Sequence, residues 1–544
     1  MSRCVAMRMR THDEEGMRGT HAPEERTEGF GVSFGPPPSM YTQSAVSADD
    51  RRRKRRRKTF GVIAAVLAGV LALGSVVVWA MNGSSSGKDE RNAADAPDRL
   101  DVRETVEKRP ASATGALAFR FSADDLAPGE EHDMPGLWAT DKIVAKGINR
   151  TLLGFEMGAD AAAGDETWSI RFDGPICGTT ARMSVEHRTA ILFAGTAERG
   201  APCDRVAFVD LDDGKTLWSK KFSPEKSGGT SGTEDTSTLQ PPTVTLTHGT
   251  VVVTWGGGTD AYAMDGGKRL WRNESTDKCL HMGAGGGKGL LIRLACQGSD
   301  PAAPATSRVR KVDARTGHTV WTYSVAKNVS DIHLVSSDPA VLAVSAGDVG
   351  ITDLLSLDEH GKYLATIRVQ KGKYVAECVD EADYVSVEDC PSIVVGDGQV
   401  FLRSAEQGDL VNNANWIVGF DLKTGKTVKK FDSGRDALLY PLRMSGDRLL
   451  ALRESSDHIS PMALMSLDPA TGRVTPYLYF DLPSEAWTLT SQTMNDVRVE
   501  DGRVFFGSRL ATGPKEKTWQ WLVVGVESVT RRAESLKMPK KQDR

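Results

Sequence analysis

The eleven residues KVDARTGHTVW, 311–321, constrain the chain more than any other stretch, because their plan returns five more times at a long interval. The other copies are FVDLDDGKTLW (208–218), YAMDGGKRLW (262–271), SLDEHGKYLA (356–365), GFDLKTGKTVKK (419–430) and SLDPATGRVTP (466–476). Their turn glycines, Gly214, Gly267, Gly317, Gly361, Gly425 and Gly472, stand 53, 50, 44, 64 and 47 residues apart. That is close to the roughly 40 to 50 residues of a four-stranded blade, so each copy reads as one hairpin of a repeated sheet. Asp210, Asp313, Asp421 and Asp468, with Asp265 in the shortened copy, can accept hydrogen bonds from turn amides that would otherwise lie unpaired. The glycine that follows can take positive φ without a Cβ clash and so reverses the chain. Trp218, Trp271 and Trp321 then fall on the outgoing strand, where an indole can fill the wedge between neighbouring sheets and donate through its N–H.

From residue 115 onward, short alternating or apolar runs such as VTLTHGTVVVTW, QVFLRS and RVFFGSRL are separated by Gly, Asp and Asn turns, and helical periodicity is nearly absent. The fold class is therefore all-β, and the long period selects a β-propeller of four-stranded blades over a sandwich or barrel. TLLGFEM and GDETWSIRF (151–172) supply a degenerate first blade using Trp168, and residues 503–527 supply strands for a last one. Because no strand-like run follows Glu527, ALAFRFS (116–122) is the candidate to complete that last sheet and close the circle. The count is eight blades, or seven if residues 138–172 form only a lead-in.

This set of hairpins resembles the tryptophan-docking repeat of the PQQ-like (pyrroloquinoline quinone) β-propeller superfamily, which runs approximately A-x-D-x-x-T-G-x-x-x-W. The match is best at 312–321, good at 210–218 and 263–271, and decays later, where Ala365, Lys429 and Pro476 replace the tryptophan. The resemblance covers about residues 115–530 and implies a propeller domain. Its enzymatic members bind PQQ and calcium in the central channel, often over a disulfide between adjacent cysteines. This chain has no adjacent cysteines and no matching calcium-ligand set. Its non-enzymatic members serve as protein-binding scaffolds in the bacterial envelope, and the comparison favours that branch.

Ahead of the repeats, RRRKRRRK (51–58) places eight consecutive cations before FGVIAAVLAGVLALGSVVVWAM, an uncharged stretch. As a helix it would reach about 33 Å, enough to span a hydrocarbon core. A transmembrane helix over 60–82 is expected, an uncleaved signal anchor. The basic run keeps residues 1–59, a disordered tail, in the cytoplasm and sends everything C-terminal outside. Residues 83–114 read as a flexible polar linker of about 30 Å mean span, and 531–544 as a polar C-terminal tail. Removing the eight clustered charges from the net −4 leaves −12 for the rest, so the main domain has no basic stripe for nucleic acid.

Six of the seven cysteines, Cys177, Cys203, Cys279, Cys296, Cys378 and Cys390, lie beyond the membrane segment. An even number outside suits oxidation. Six cysteines allow 15 pairings, and the separations of 26, 17 and 12 residues favour 177 with 203, 279 with 296, and 378 with 390. Zinc is the alternative, without any CxxC or HxxxH spacing to support it.

No residue set names a reaction. Ser455, Ser456, Asp457 and His458 lie in one segment, whereas a triad needs members converging from separate elements. GGG (256–258) and GGGKG (285–289) lack the setting of a phosphate loop. The expectation is a membrane-anchored, extracytoplasmic, non-enzymatic binding or scaffold module for an envelope protein, peptide or glycan, with no cofactor. The alternative is a channel that holds a small molecule, as a sensor or a quinoprotein dehydrogenase using PQQ and calcium.

Overall fold

The computed structural model describes residues 98–531, apart from 158–165, 223–240, 277, 299–304, 328, 348–349, 370–371, 379, 382–383, 386–387, 409–412, 456–459 and 515–519. The expected membrane helix at 60–82, the tail at 1–59, most of the SSDH stretch and the residues beyond 531 lie outside these. Among the described residues no helix is long and apolar enough to cross a membrane.

Strands of alternating or wholly apolar sequence pair in antiparallel sheets, blade after blade: 137–171, 176–221, 243–274, 279–324, 329–368, 393–432, 437–480 and 495–528. These are eight blades, and the seven-blade alternative falls. In blade 3 the first three strands, Thr243–Thr247, Thr250–Trp255 and Gly258–Ala263, are buried almost throughout. The fourth, Arg269–Glu274, is exposed or half-buried apart from Trp271. The physical reason is radial stacking. Inner strands are covered on both faces by neighbouring blades, while the outermost strand meets water. The last sheet takes its outermost strand from Gly115–Ser122, which pairs antiparallel with Trp521–Ser528, matching Gly115 to Ser528 and Phe121 to Val523.

The repeat residues work at the turns between third and fourth strands. Trp168, Trp218, Trp271 and Trp321 each lie on the turn glycine of the next blade, Gly214, Gly267, Gly317 and Gly361; a Cβ at any of these would come within 2.3 to 2.7 Å of the indole. All four glycines also have φ between 64° and 76°, so both sterics and backbone require them. The Trp218 and Trp271 indoles donate to the carbonyls of Met264 and Ala314, each at 2.8 Å. Past the fifth blade the ring continues without tryptophan. Gly425 sits against Ala365 and the Thr366 carbonyl, and Gly472 against Lys429, whose Nζ donates to the Ala470 carbonyl at 3.2 Å.

Asp210, Asp313, Asp421 and Asp468 accept amides of their own turns as expected, for example Thr316 N–H to Asp313 at 2.8 Å and Thr424 N–H to Asp421 at 2.8 Å. The Thr316, Thr424 and Thr471 hydroxyls, helped by those amides, hold Asp313, Asp421 and Asp468 below the usual carboxylate range. Asp265 departs from the expectation. Ala263 occupies the capping position, its carbonyl accepting from Gly267 N–H, and Asp265 points outward to Arg99 at 3.7 Å. The turn keeps the length of the others, but alanine stands four residues before its glycine where they carry aspartate.

The cysteines close as Cys177–Cys203, Cys279–Cys296 and Cys378–Cys390. The first two staple strands within blades 2 and 4, and the third lies inside the connection 369–392 between blades 5 and 6. Near the second, His281 is 2 % exposed with Nδ1 2.7 Å from the Thr259 hydroxyl. Burial, with Arg310 adding to it, lowers its pKa from 6.5 to about 4. The unfolded chain therefore takes up this proton first, and the stability it supports is lost as pH falls from 6.5 through 4, by up to about 3 kcal/mol. Urea unfolding at pH 7 and pH 4.5 should show most of that difference disappearing in His281→Gln. An unchanged difference would remove His281 as its source.

Candidate functional site: the central channel

The first strand of every blade faces the axis, and because successive strands are antiparallel, the first hairpin turns of all blades share one rim. Inside lies a cavity of about 760 Å³. It is bounded at that rim by residues 102–106 and reached from the opposite side by Glu388 and Asp389.

The rim-side closure is a strap. The segment expected to be a free tether over 83–114 is tied down from residue 98 onward, a correction to that expectation. Its amides and carbonyls find partners on the blades: Gly249 N–H donates to Leu100 O at 3.1 Å, Val185 N–H to Asp101 O at 2.9 Å, and Arg103 N–H to Met183 O at 2.8 Å. Across the opening the strap reaches blades 7 and 8. Glu107 N–H donates to Ser445 at 2.8 Å, and Arg443 donates to Thr105 O at 2.8 Å. The Glu107 side chain, 1 % exposed, takes the Arg443 guanidinium and the amides of Asp501 and Gly502. Burial raises its pKa, against the pull of Arg443 and the two amides. Arg103 and Thr105 both bind Glu500, the arginine at 2.8 Å. Polar composition suggested a free linker, but these side chains match acceptors and donors at the rim, which composition does not reveal.

The opposite closure is a plug. Glu388 accepts from Gly286 N–H at 2.8 Å, Thr245 Oγ1 at 3.0 Å, and Arg182 and Thr180 at 3.4 Å each. Asp389 meets Arg509 at 3.2 Å. Arg509 also holds Asp496 at 3.1 Å, which receives Lys146 Nζ at 3.1 Å and lies 3.7 Å from Arg498. Burial would raise the Asp496 pKa, yet Lys146, Arg509 and Arg498 outweigh it and hold the carboxyl at about 2. Lys146 is fully buried, which lowers its pKa to about 8 despite Asp496, with Arg509 and Arg498 adding repulsion. The cluster is cation-rich, so the aspartate is its keystone.

The structure thus separates the sequence-marked residues from the channel. Asp210, Gly214, Trp218, Gly267, Trp271, Asp313, Gly317, Trp321, Asp421, Gly425, Asp468 and Gly472 build the outer turns. Glu388 and Asp496, which line the channel, and Glu107 and Lys146, which support its ends, carry no motif. Among the described residues two groups bring three metal-capable side chains together: His333 with Cys378 and Cys390, and Asp141 with His187 and Asp212. In the first the sulfurs are already bonded to each other. In the second His187 Nδ1 is engaged by Asp212 at 2.8 Å.

No curated protein matches the sequence. Among solved structures, BamB from Moraxella catarrhalis is similar at 12% identity, over 78% of this chain and 99% of that one, with a TM-score of 0.38. Quinohemoprotein alcohol dehydrogenase ADHIIG from Pseudomonas putida HK5 is similar at 12% identity over 78% of each chain, with a TM-score of 0.41. The quinohemoprotein alcohol dehydrogenase of Comamonas testosteroni is also 12% identical, over 80% and 81%, with a TM-score of 0.41. The family profile described as outer membrane protein assembly factor BamB matches residues 106–278 and 305–512. With that match spanning most of the chain and the docking repeat at its blade junctions, this chain belongs to the BamB-like family of PQQ-like β-propellers.

Proposed function

We propose that the chain is a membrane-anchored, extracytoplasmic propeller that binds a protein partner as a scaffold and carries out no reaction of its own. The observation that carries this reading is that the chain itself enters the channel from both ends, with Glu107, Glu388, Asp389, Asp496 and Glu500 each already paired with an arginine or lysine. Calcium takes roughly six to eight oxygen ligands, carboxylates foremost. Carboxylates committed to cations do not fit a PQQ and calcium site. The description of the family as an assembly factor supports the same reading, and the uncharged stretch at 60–81 behind eight cations supports the anchor and its orientation.

Photo-crosslinking tests it. With the full-length chain in its own membrane, a crosslinker replacing Met494 or Trp487, 71 % and 41 % exposed beside blade 8, is compared with one on the outer strand at Val320. The expected result is one protein adduct confined to some of these positions, together with external protease digesting the propeller in intact cells. Saturable PQQ uptake with dye-linked alcohol oxidation would replace the scaffold with an enzyme.

A further inference from the structure

Glu388 reaches the channel on the longest of the links between blades. The links at 172–175, 275–278, 325–328 and 433–436 between outer and inner strands take four residues each, those at 222–242 and 481–494 take twenty-one and fourteen, and this one takes twenty-four, 369–392. The donors that meet it come from three other blades: Thr180 and Arg182 from blade 2, Thr245 from blade 3, and the Gly286 amide from blade 4. Gly286 has to be glycine, since a Cβ there would lie 2.3 Å from the Leu246 carbonyl and 2.4 Å from Thr245 Oγ1. This close approach aims its amide and the Thr245 hydroxyl at one carboxylate oxygen. Thr180 and Thr245 are buried, at 2 % and 0 % exposed. A guanidinium, two hydroxyls and a backbone amide converging on one point make a carboxylate receptor.

The receptor and its occupant are anchored differently. The donors sit at or beside the inner strands of rigid sheets. The connection pairs with blade 6 at Tyr374 and Val375 and is tied within itself by Cys378–Cys390 and the Ser392 hydroxyl, which accepts from Glu377 N–H at 2.6 Å. The donors belong to the blades, whereas Glu388 is borne on the connection.

We propose that this is a ligand site for carboxylates, with Glu388 as its resident internal ligand, displaced when a binding partner presents an acidic side chain or C-terminus from the same side of the channel. The inference rests on the binding-module reading and names the chemistry of the partner's contact. An internal competitor lowers apparent affinity by the fraction of time it holds the site, so removing its charge unmasks the receptor.

The test is calorimetric titration of the full-length chain with an N-acetylated glycine-glutamate pentapeptide, its glutamine counterpart and glutarate. Glu388→Gln should bind an acidic probe at least about tenfold more tightly than the unaltered chain, and adding Arg182→Gln should erase the gain. A gain with the peptide assigns the ligand to a protein partner, and a gain with glutarate alone assigns it to a free acid. No gain over the glutamine peptide, or a gain that survives Arg182→Gln, overturns the proposal. Should Glu388→Gln not fold, the Cys378→Ser, Cys390→Ser double variant unties the loop instead; the same gain is expected, and its absence is equally fatal. Crosslinking without a captured partner would sink the scaffold reading and leave this titration standing, and a flat titration beside a specific adduct would do the reverse.

Discussion

Asp496→Asn is expected to destabilise the propeller by about 3 to 5 kcal/mol, the cost of leaving buried charge uncompensated. The change is nearly isosteric, so packing contributes little. What remains is Lys146, wholly buried, facing Arg498 and Arg509 without its own carboxylate, while Asp389 still holds Arg509. Lys146→Met should cost much less, because Asp496 keeps both arginines and the desolvated ammonium is gone. Urea midpoints for the two variants check the order, and equal losses would refute the keystone role. Acid titration has a defined sign. The folded Asp496 pKa of about 2 lies below its ordinary 3.8, so its contribution is present above pH 3.8 and lost as pH falls through 2. Lys146 acts with the same sign in a higher pH window. Its folded pKa of about 8 lies below 10.5, so the cost of its buried charge is present below pH 8 and relieved towards pH 10.5.

Trp271→Ala should cost about 3 to 5 kcal/mol, as expected for a buried tryptophan truncated to alanine. The indole fills the seam between blades 3 and 4, donates to Ala314 O and lies on Gly317. Gly317→Ala alone should also be costly, because its φ is 75° and the new Cβ would meet the indole at 2.7 Å. The two losses are coupled through one contact, so the double variant should lose less than their sum. Additive losses measured by urea unfolding would mean that the glycine answers only to backbone conformation. Lys429→Ala, at the seam onto Gly472, should cost well under 1 kcal/mol, since the lysine there covers an exposed turn.

The contrast explains what was legible in the sequence. Docking is local in its logic: a capping aspartate, a positive-φ glycine and a tryptophan on the next strand sit within a dozen residues and repeat, so the fold and its four-stranded period could be read. Disulfide neighbours were readable for the same reason. The ring closure at Gly115–Ser122 followed from an unpaired edge. The channel was not readable. Lys146 and Asp496 are separated by 350 positions, and Glu388 meets Gly286 across 102; only the circular arrangement makes them neighbours. Asp265 misled because Ala263 stands at the capping position of a turn of ordinary length, leaving only the backbone bond that Gly214, Gly317, Gly425 and Gly472 also make, and the strap misled because its polar residues are complementary to the rim.

Closing the ring with the domain's earliest strand also sets an order of events during synthesis. Gly115–Ser122 leaves the ribosome long before Trp521–Ser528, its hydrogen-bonding mate, and has no other sheet to join in the finished molecule. Throughout translation the nascent chain carries one adhesive border waiting for its last segment. Cells making it must shield that border from other chains, or lose product to aggregation in proportion to the delay.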